Sequence, residues 1–168
     1  MPERQTIRKA KQELRRGRAP STAASEFVRE EMHHIRRGKH GARSTKQAIA
    51  IGLSKARRAG VKLPPPRKGK ASAKTRSNAQ RALKAGRHPG RAVSAKRSRA
   101  VTTALRREGR AAASGRSLAR QAKVAARTRS ASARSASARK AARTKGAAAR
   151  SQPARKAART LASHRASR

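Results

Sequence analysis

Large apolar side chains are concentrated in the first 63 positions of this chain, and the remainder holds too few of them to close a core of its own. Phe27 is the only aromatic residue, and most of the 35% hydrophobic content is alanine. Alanine buries too little surface to offset the ordering entropy of a long chain. The expected fold is therefore a small N-terminal core followed by a segment whose low hydrophobicity and high net charge favour disorder.

Charge sets the class of partner. The 168 residues include 48 Lys and Arg against six acidic residues, all Glu, for a formal net charge of +42 and a pI near 12.0. Self-repulsion on that scale is relieved by a polyanion. There is no cysteine, which removes disulfides, thiolate nucleophiles and cysteine metal sites together. The opening MPERQTIRKAKQELRRG has basic residues without an apolar stretch behind them, and the longest apolar run, AIAIGL at 48–53, is far short of a spanning helix. These features predict a soluble cytoplasmic protein.

Glutamate divides the chain, since Glu3, Glu13, Glu26, Glu30 and Glu31 precede residue 32 and only Glu108 follows. Pro64, Pro65 and Pro66 then form a stiff spacer that cannot continue a helix. The expected organisation is a basic helix and turn at 1–20, a helical hairpin at 21–63, a Pro-rich linker at 64–70 and a basic Ala/Arg/Ser-rich tail at 71–168. Within the head, the spacing predicts a helix over 3–16 ended by Gly17, with Pro20 closing the turn. A second helix over about 23–37, capped by Ser21 or Thr22, repeats Ala24, Phe27, Val28, Met32 and Ile35 at helical intervals. A third runs from the capping box of Ser44 and Gln47 to Ala59, with Gly60 and Val61 suited to a Schellman ending. It aligns Ala48, Ile49, Gly52, Leu53 and Ala56 on one stripe. Gly52 costs about 1 kcal/mol of helix propensity, so close approach of the second helix is its expected purpose.

The tail is repetitive: SASAR occurs at 130–134 and 135–139, and ARKAART at 138–144 and 154–160. Its Ala and Arg favour helix over 76–85, 96–108, 117–128, 131–144 and 154–162. Charge repulsion opposes this, so the tail is expected to be disordered or intermittently helical when free and to gain helix on a polyanion. Gly86, Gly90, Gly109, Gly115, Gly146 and Pro153 are read as hinges. The fold class is all-α.

The run EFVREEMHHIRRGKHGARSTKQAIAIGLSKARRAGVKLPPP resembles a small bacterial domain family of unknown function, marked by the KQAIAIGLSKARRAG core at 46–60. That resemblance implies a folded head and assigns no chemistry. In composition the tail is similar to the Ala/Lys-rich tails of linker histones and bacterial histone-like proteins, although the chain as a whole prefers Arg (33) to Lys (15).

Beyond Leu63 lie 31 basic residues and one acid. One positive charge every three or four residues displaces condensed counterions from DNA, and their release drives binding. Arg predominance suits phosphate, because its planar fork donates two hydrogen bonds to one group. The residues expected to contact nucleic acid are Lys39, Arg43, Arg57, Arg58, Arg67, Lys68, Lys70, Arg97, Arg106, Arg107, Arg139, Lys140, Arg143, Arg155, Lys156 and Arg159. In the loop GKHGAR at 38–43, Lys39, His40 and Arg43 either close on a phosphate at the start of the third helix or form an ordinary interhelical turn.

His33, His34 and His40 beside Glu30 and Glu31 raise a metal site, with Glu30 and His34 one turn apart. Adjacent histidines point to different faces and no H-E-x-x-H occurs, so the expectation is surface histidines, with no metal and no cofactor. No catalytic set is visible, and the chain is expected not to be an enzyme. With one Phe and one Asn, base stacking and base-edge reading lack material. The expected function is a nucleoid-associated, histone-like protein that binds duplex DNA without sequence specificity. Structured RNA uses the same charges and is the alternative, and anionic membranes or acidic proteins are a second, weakened by the missing bulky apolar face.

Overall fold

The structure, a computed structural model, describes residues 2–87 and 94–144. Among these the chain is all α. Seven α-helices are present: α1 Arg4–Arg15, α2 Pro20–Arg36, α3 Thr45–Arg58, α4 Ala73–Arg87, α5 Ala95–Arg106, α6 Gly115–Arg127 and α7 Ala131–Thr144, with a short 3-10 turn at Ala111–Ala113 before α6. None is long and apolar enough to cross a membrane. The chain divides into two compact units, Met1–Gln121 and Ala122–Arg168.

The first three helices end alike. Gly17, Gly38 and Gly60 all take positive φ, and each carries the paired backbone bonds of a Schellman motif. At α3, Gly60 N–H donates to Arg57 O and Val61 N–H to Ala56 O, both at 3.1 Å. Val61 is thereby folded back and buried. At the other end of α3 the Gln47 amide donates to Ser44 Oγ at 3.2 Å, as the capping box requires. The side-chain Oε1 of Gln47, however, accepts from the Arg43 N–H rather than from that of Ser44.

Helix α2 starts earlier than its sequence suggests. Pro20 is its first residue rather than the residue that closes the preceding turn, and Ala19 caps it without a side-chain bond. Proline at this position lacks an N–H that the first turn would leave unpaired and has the helical φ already set. Ser21 and Thr22 accordingly lie inside the helix.

Helices α2 and α3 form the expected hairpin, with α1 packed on α2 and α4 on α3. Ala10, Ala23, Ala24, Phe27, Ala56 and Val61 form one core cluster, lined by Ile7, Leu53, Ala59 and Leu63. A second contains Met32, Ile35, Ala42, Ala48, Ala112 and Ala113, with Val28, Ile49 and Leu118 against it. Among the described residues, ten of the fourteen buried apolar side chains are alanine. Their contribution is close backbone approach, since one methyl adds only about 0.8 kcal/mol of burial.

The compact unit thus extends past the triple proline. Ala79 and Ala82 of α4 are buried, and a Cβ at Gly86 would stand 2.0 Å from Arg57 O. Gly86 is therefore a point of close packing on α3 and not a hinge. Residues 105–113 are sewn to the hairpin: Gly41 N–H donates to Leu105 O at 2.8 Å and Ala42 N–H to Gly109 O at 3.1 Å. Thr45 Oγ1 reaches Ala112 O at 2.7 Å and Arg36 Nε reaches Ala113 O at 2.9 Å. Polar atoms on the hairpin supply what the small alanine side chains lack.

The helical stretches read from the tail recur as α4 to α7, the first three with shifted ends and the last with the same bounds. The stretch at 154–162 lies outside the described residues, as do Gly90, Gly146 and Pro153. In the second unit the described part comprises the end of α6 and α7, whose side chains are exposed apart from the half-buried Ala125 and Ala142, with those of Lys140 and Thr144 not described.

Candidate nucleic-acid interface

Of the sixteen cations singled out from sequence, Arg155, Lys156 and Arg159 lie outside the described residues, as does the side chain of Lys140. Eleven of the other twelve are exposed: Lys39, Arg43, Arg58, Arg67, Lys68, Lys70, Arg97, Arg106 and Arg107 in the first unit, and Arg139 and Arg143 in the second. Helix α5, which presents Arg97 and Arg106, buries none of its residues.

Arg57 is the departure. It is 6% exposed, donating from Nε to Leu63 O at 3.0 Å and from Nη2 to Pro64 O at 3.2 Å. Burial holds its guanidinium below the ordinary arginine value. Its neighbour Arg58 is exposed. Helical spacing turns the two by about 100° from each other, and that rotation separates a cation that anchors the chain leaving α3 from one that faces solvent.

The 38–43 loop is likewise spent on the fold. The amides of Gly41 and Ala42 are taken by carbonyls of 105 and 109, and Arg43 N–H by Gln47. Lys39 Nζ pairs with Glu3 Oε1 at 3.2 Å. His40 sets Nδ1 3.0 Å from Gly41 O and Nε2 3.2 Å from Glu31. Of the three residues that were candidates to close on a phosphate there, Lys39 and Arg43 stay exposed, Lys39 engaged by Glu3, while His40 is part-buried. Docking does bring Arg106 beside this loop: Arg106, Arg110, His40 and Glu108, with Gly38, Gly41 and Gly109, line a cleft of about 320 Å³. Arg110 was not among the sequence candidates. Its place follows from a long-range contact that local spacing does not encode.

Apart from the half-buried Glu108, the glutamates are withdrawn from the surface or paired. Glu30 is 6% exposed and Glu31 is fully buried, with Glu31 Oε2 bonded to Lys55 Nζ at 2.5 Å. Glu13 and Glu26 are half-buried beside Arg16, Arg18 and Arg29. The exposed Glu3 accepts from His34 Nε2 at 2.9 Å and from Lys39. These two hydrogen bonds, His34 first, hold its carboxyl below the usual range.

Residues 19–68 match a family of unknown function (DUF6496). The matched span covers α2, α3 and the proline run, less than a third of the chain, and carries no assigned chemistry. No curated protein and no solved structure matches the chain.

The histidines differ from their expected surface placement. His33 is exposed, but His34 is buried and His40 part-buried. Residues 31 and 34 share a helix face at i, i+3, as Glu30 and His34 do at i, i+4.

Proposed function

We propose that this protein is a non-catalytic, histone-like factor of the nucleoid that binds duplex DNA through phosphate contacts without reading base sequence. The observation that carries this reading is the separation of charge. Eleven of the twelve candidate cations with described side chains are exposed, while Glu30 and Glu31 are buried and four further carboxylates include three paired with cations. A surface so depleted of competing acid presents cations to a polyanion, and counterion release then favours association. Arg106 and Arg110 flanking one cleft add a local concentration of guanidinium groups, the group best matched to phosphate.

Fluorescence anisotropy of the full chain on a labelled duplex, across a salt series, tests this. About ten engaged phosphates give a slope near −9 in log K against log[salt], and a slope shallower than about −3 overturns the electrostatic account. Competition by structured RNA and by anionic vesicles belongs in the same experiment. Duplex DNA outcompeting both supports the proposal, and preference for either competitor replaces it.

A further inference from the structure

The one orphaned buried side-chain atom among the described residues is Oε1 of Glu31. Glu31 is fully buried in α2, and Lys55 occupies its other oxygen. Nε2 of His40 lies 3.2 Å from Oε1, at ion-pair distance, yet no N–H is directed at the oxygen. His40 Nδ1 lies 3.0 Å from Gly41 O. A carbonyl only accepts, so Nδ1 carries the proton and, in the neutral ring, Nε2 keeps its lone pair. Two acceptors then lie 3.2 Å apart inside the protein. Such a pair calls for a cation between them.

The third group is His34, on the same face of α2 as Glu31. Ligand atoms of Glu31, His34 and His40 all lie within 4.8 Å of one another, and the two rings stand edge to face with centroids 6.1 Å apart. His34 Nε2 lies 2.9 Å from Glu3 Oε1. An ionised carboxylate also only accepts, so the proton sits on Nε2 and the lone pair on Nδ1. Histidines that bind metal ordinarily donate their other N–H to a carboxylate or a backbone carbonyl, which fixes the tautomer and the ring orientation. Here one ring has each kind of partner.

We propose that Glu31, His34 and His40 form a binding site for a borderline divalent transition metal of the zinc class. Two imidazoles and one carboxylate suit zinc, cobalt or nickel over magnesium or calcium. Tetrahedral zinc with bonds of about 2.0 Å to nitrogen and oxygen sets neighbouring ligand atoms about 3.3 Å apart. The 3.2 Å between Glu31 Oε1 and His40 Nε2 is that edge. The other carboxylate grouping around His34, with Glu3 and Glu30, fits less well. Both oxygens of Glu30 already receive the Glu3 N–H, and Glu3 is exposed and shared with Lys39. A metal at Glu31 would tie the 38–43 loop to α2, stiffening the seam on which residues 105–113 dock.

The test uses the full chain after chelator treatment. Titration with Co2+ followed by visible absorption, and Zn2+ competition against a chromophoric chelator, report binding. One metal per chain with a tetrahedral Co2+ spectrum is expected, together with a rise in Tm on adding Zn2+. His34→Ala and His40→Ala should each weaken binding by more than the roughly 10- to 100-fold lost when an outer partner is removed, whereas His33→Ala should bind as the parent does. Histidine ring resonances guard against variants that fail to fold: Zn2+ should shift those of His34 and His40 in the unmodified chain and leave that of His33 in place. Absence of a Co2+ spectrum, a response of His33 equal to that of His34, or parental affinity in folded His40→Ala overturns the site.

Discussion

A side chain on residue 52 would have to occupy the space of Val28: a Cβ built on Gly52 stands 2.7 Å from the Val28 Cα and 3.0 Å from its backbone nitrogen. Backbone cannot swing aside as a flexible side chain would, so α2 and α3 must separate to admit one methyl. Gly52→Ala should lower stability even though alanine is the better helix former. Overpacking costs about 1–3 kcal/mol, and the propensity gain returns only about 1 kcal/mol. Thermal and urea unfolding monitored by circular dichroism measure the difference, and a variant more stable than the parent would refute the packing assignment.

Gly41 offers a test confined to the docked segment. A Cβ there would meet Glu108 O at 1.8 Å and Gly109 O at 2.7 Å. Gly41→Ala should therefore release residues 105–113 while leaving the α2 and α3 hairpin helical. Hydrogen exchange is the measurement: protection of the Gly41 and Ala42 amides should vanish, and that of helix α2 should persist.

The adjacent arginines Arg57 and Arg58 should respond oppositely. Arg57→Ala removes the donor to Leu63 O and Pro64 O and should reduce stability by about 1–3 kcal/mol, with little change in DNA affinity at a temperature where the variant is folded. Arg58→Ala should leave Tm unchanged and, on the phosphate-binding reading, shrink the salt slope by about one unit. Calorimetry and anisotropy on both variants decide. The same effect from each would mean that burial does not distinguish their roles.

Acid should loosen α1. Because the folded-state pKa of Glu3 is depressed by His34 and Lys39, its charge contributes stability that is present above the ordinary carboxylate pKa of about 4.3 and is lost as pH falls through the lower folded value. Tm of the parent should exceed that of Glu3→Gln near neutrality, and the gap should close in that acidic window. A constant gap would assign the effect of Gln to packing instead of charge.

The elements themselves were legible because their signals are local. Glycines 17, 38 and 60 mark helix ends, Ser44 and Gln47 mark a start, and Gly52 on an apolar stripe announces a close crossing. Even the helices beyond the triple proline follow from runs of Ala and Arg. Tertiary use of those runs was not legible. Ala112 and Ala113 look like any other tail alanines, and what buries them is a set of backbone carbonyls meeting Thr45, Arg36, Gly41 and Ala42. Backbone acceptors leave no trace in side-chain patterning. The same blindness applied to Arg57, a charge whose partners are two carbonyls, and to Glu31 with His40, which lie on different segments brought together only by the turn at 38–43.

The alanine-rich interior has a thermal consequence. Unfolding raises heat capacity mainly through newly hydrated apolar surface, about 0.45 cal/K/mol per Å², and a core that among the described residues buries fourteen apolar side chains, ten of them alanine, has little such surface to expose. The heat-capacity increment per residue should fall below the usual ~12–15 cal/mol/K. A small increment flattens the curve of stability against temperature, so the fold should vary little in strength across the cold range, where proteins with bulkier interiors begin to weaken.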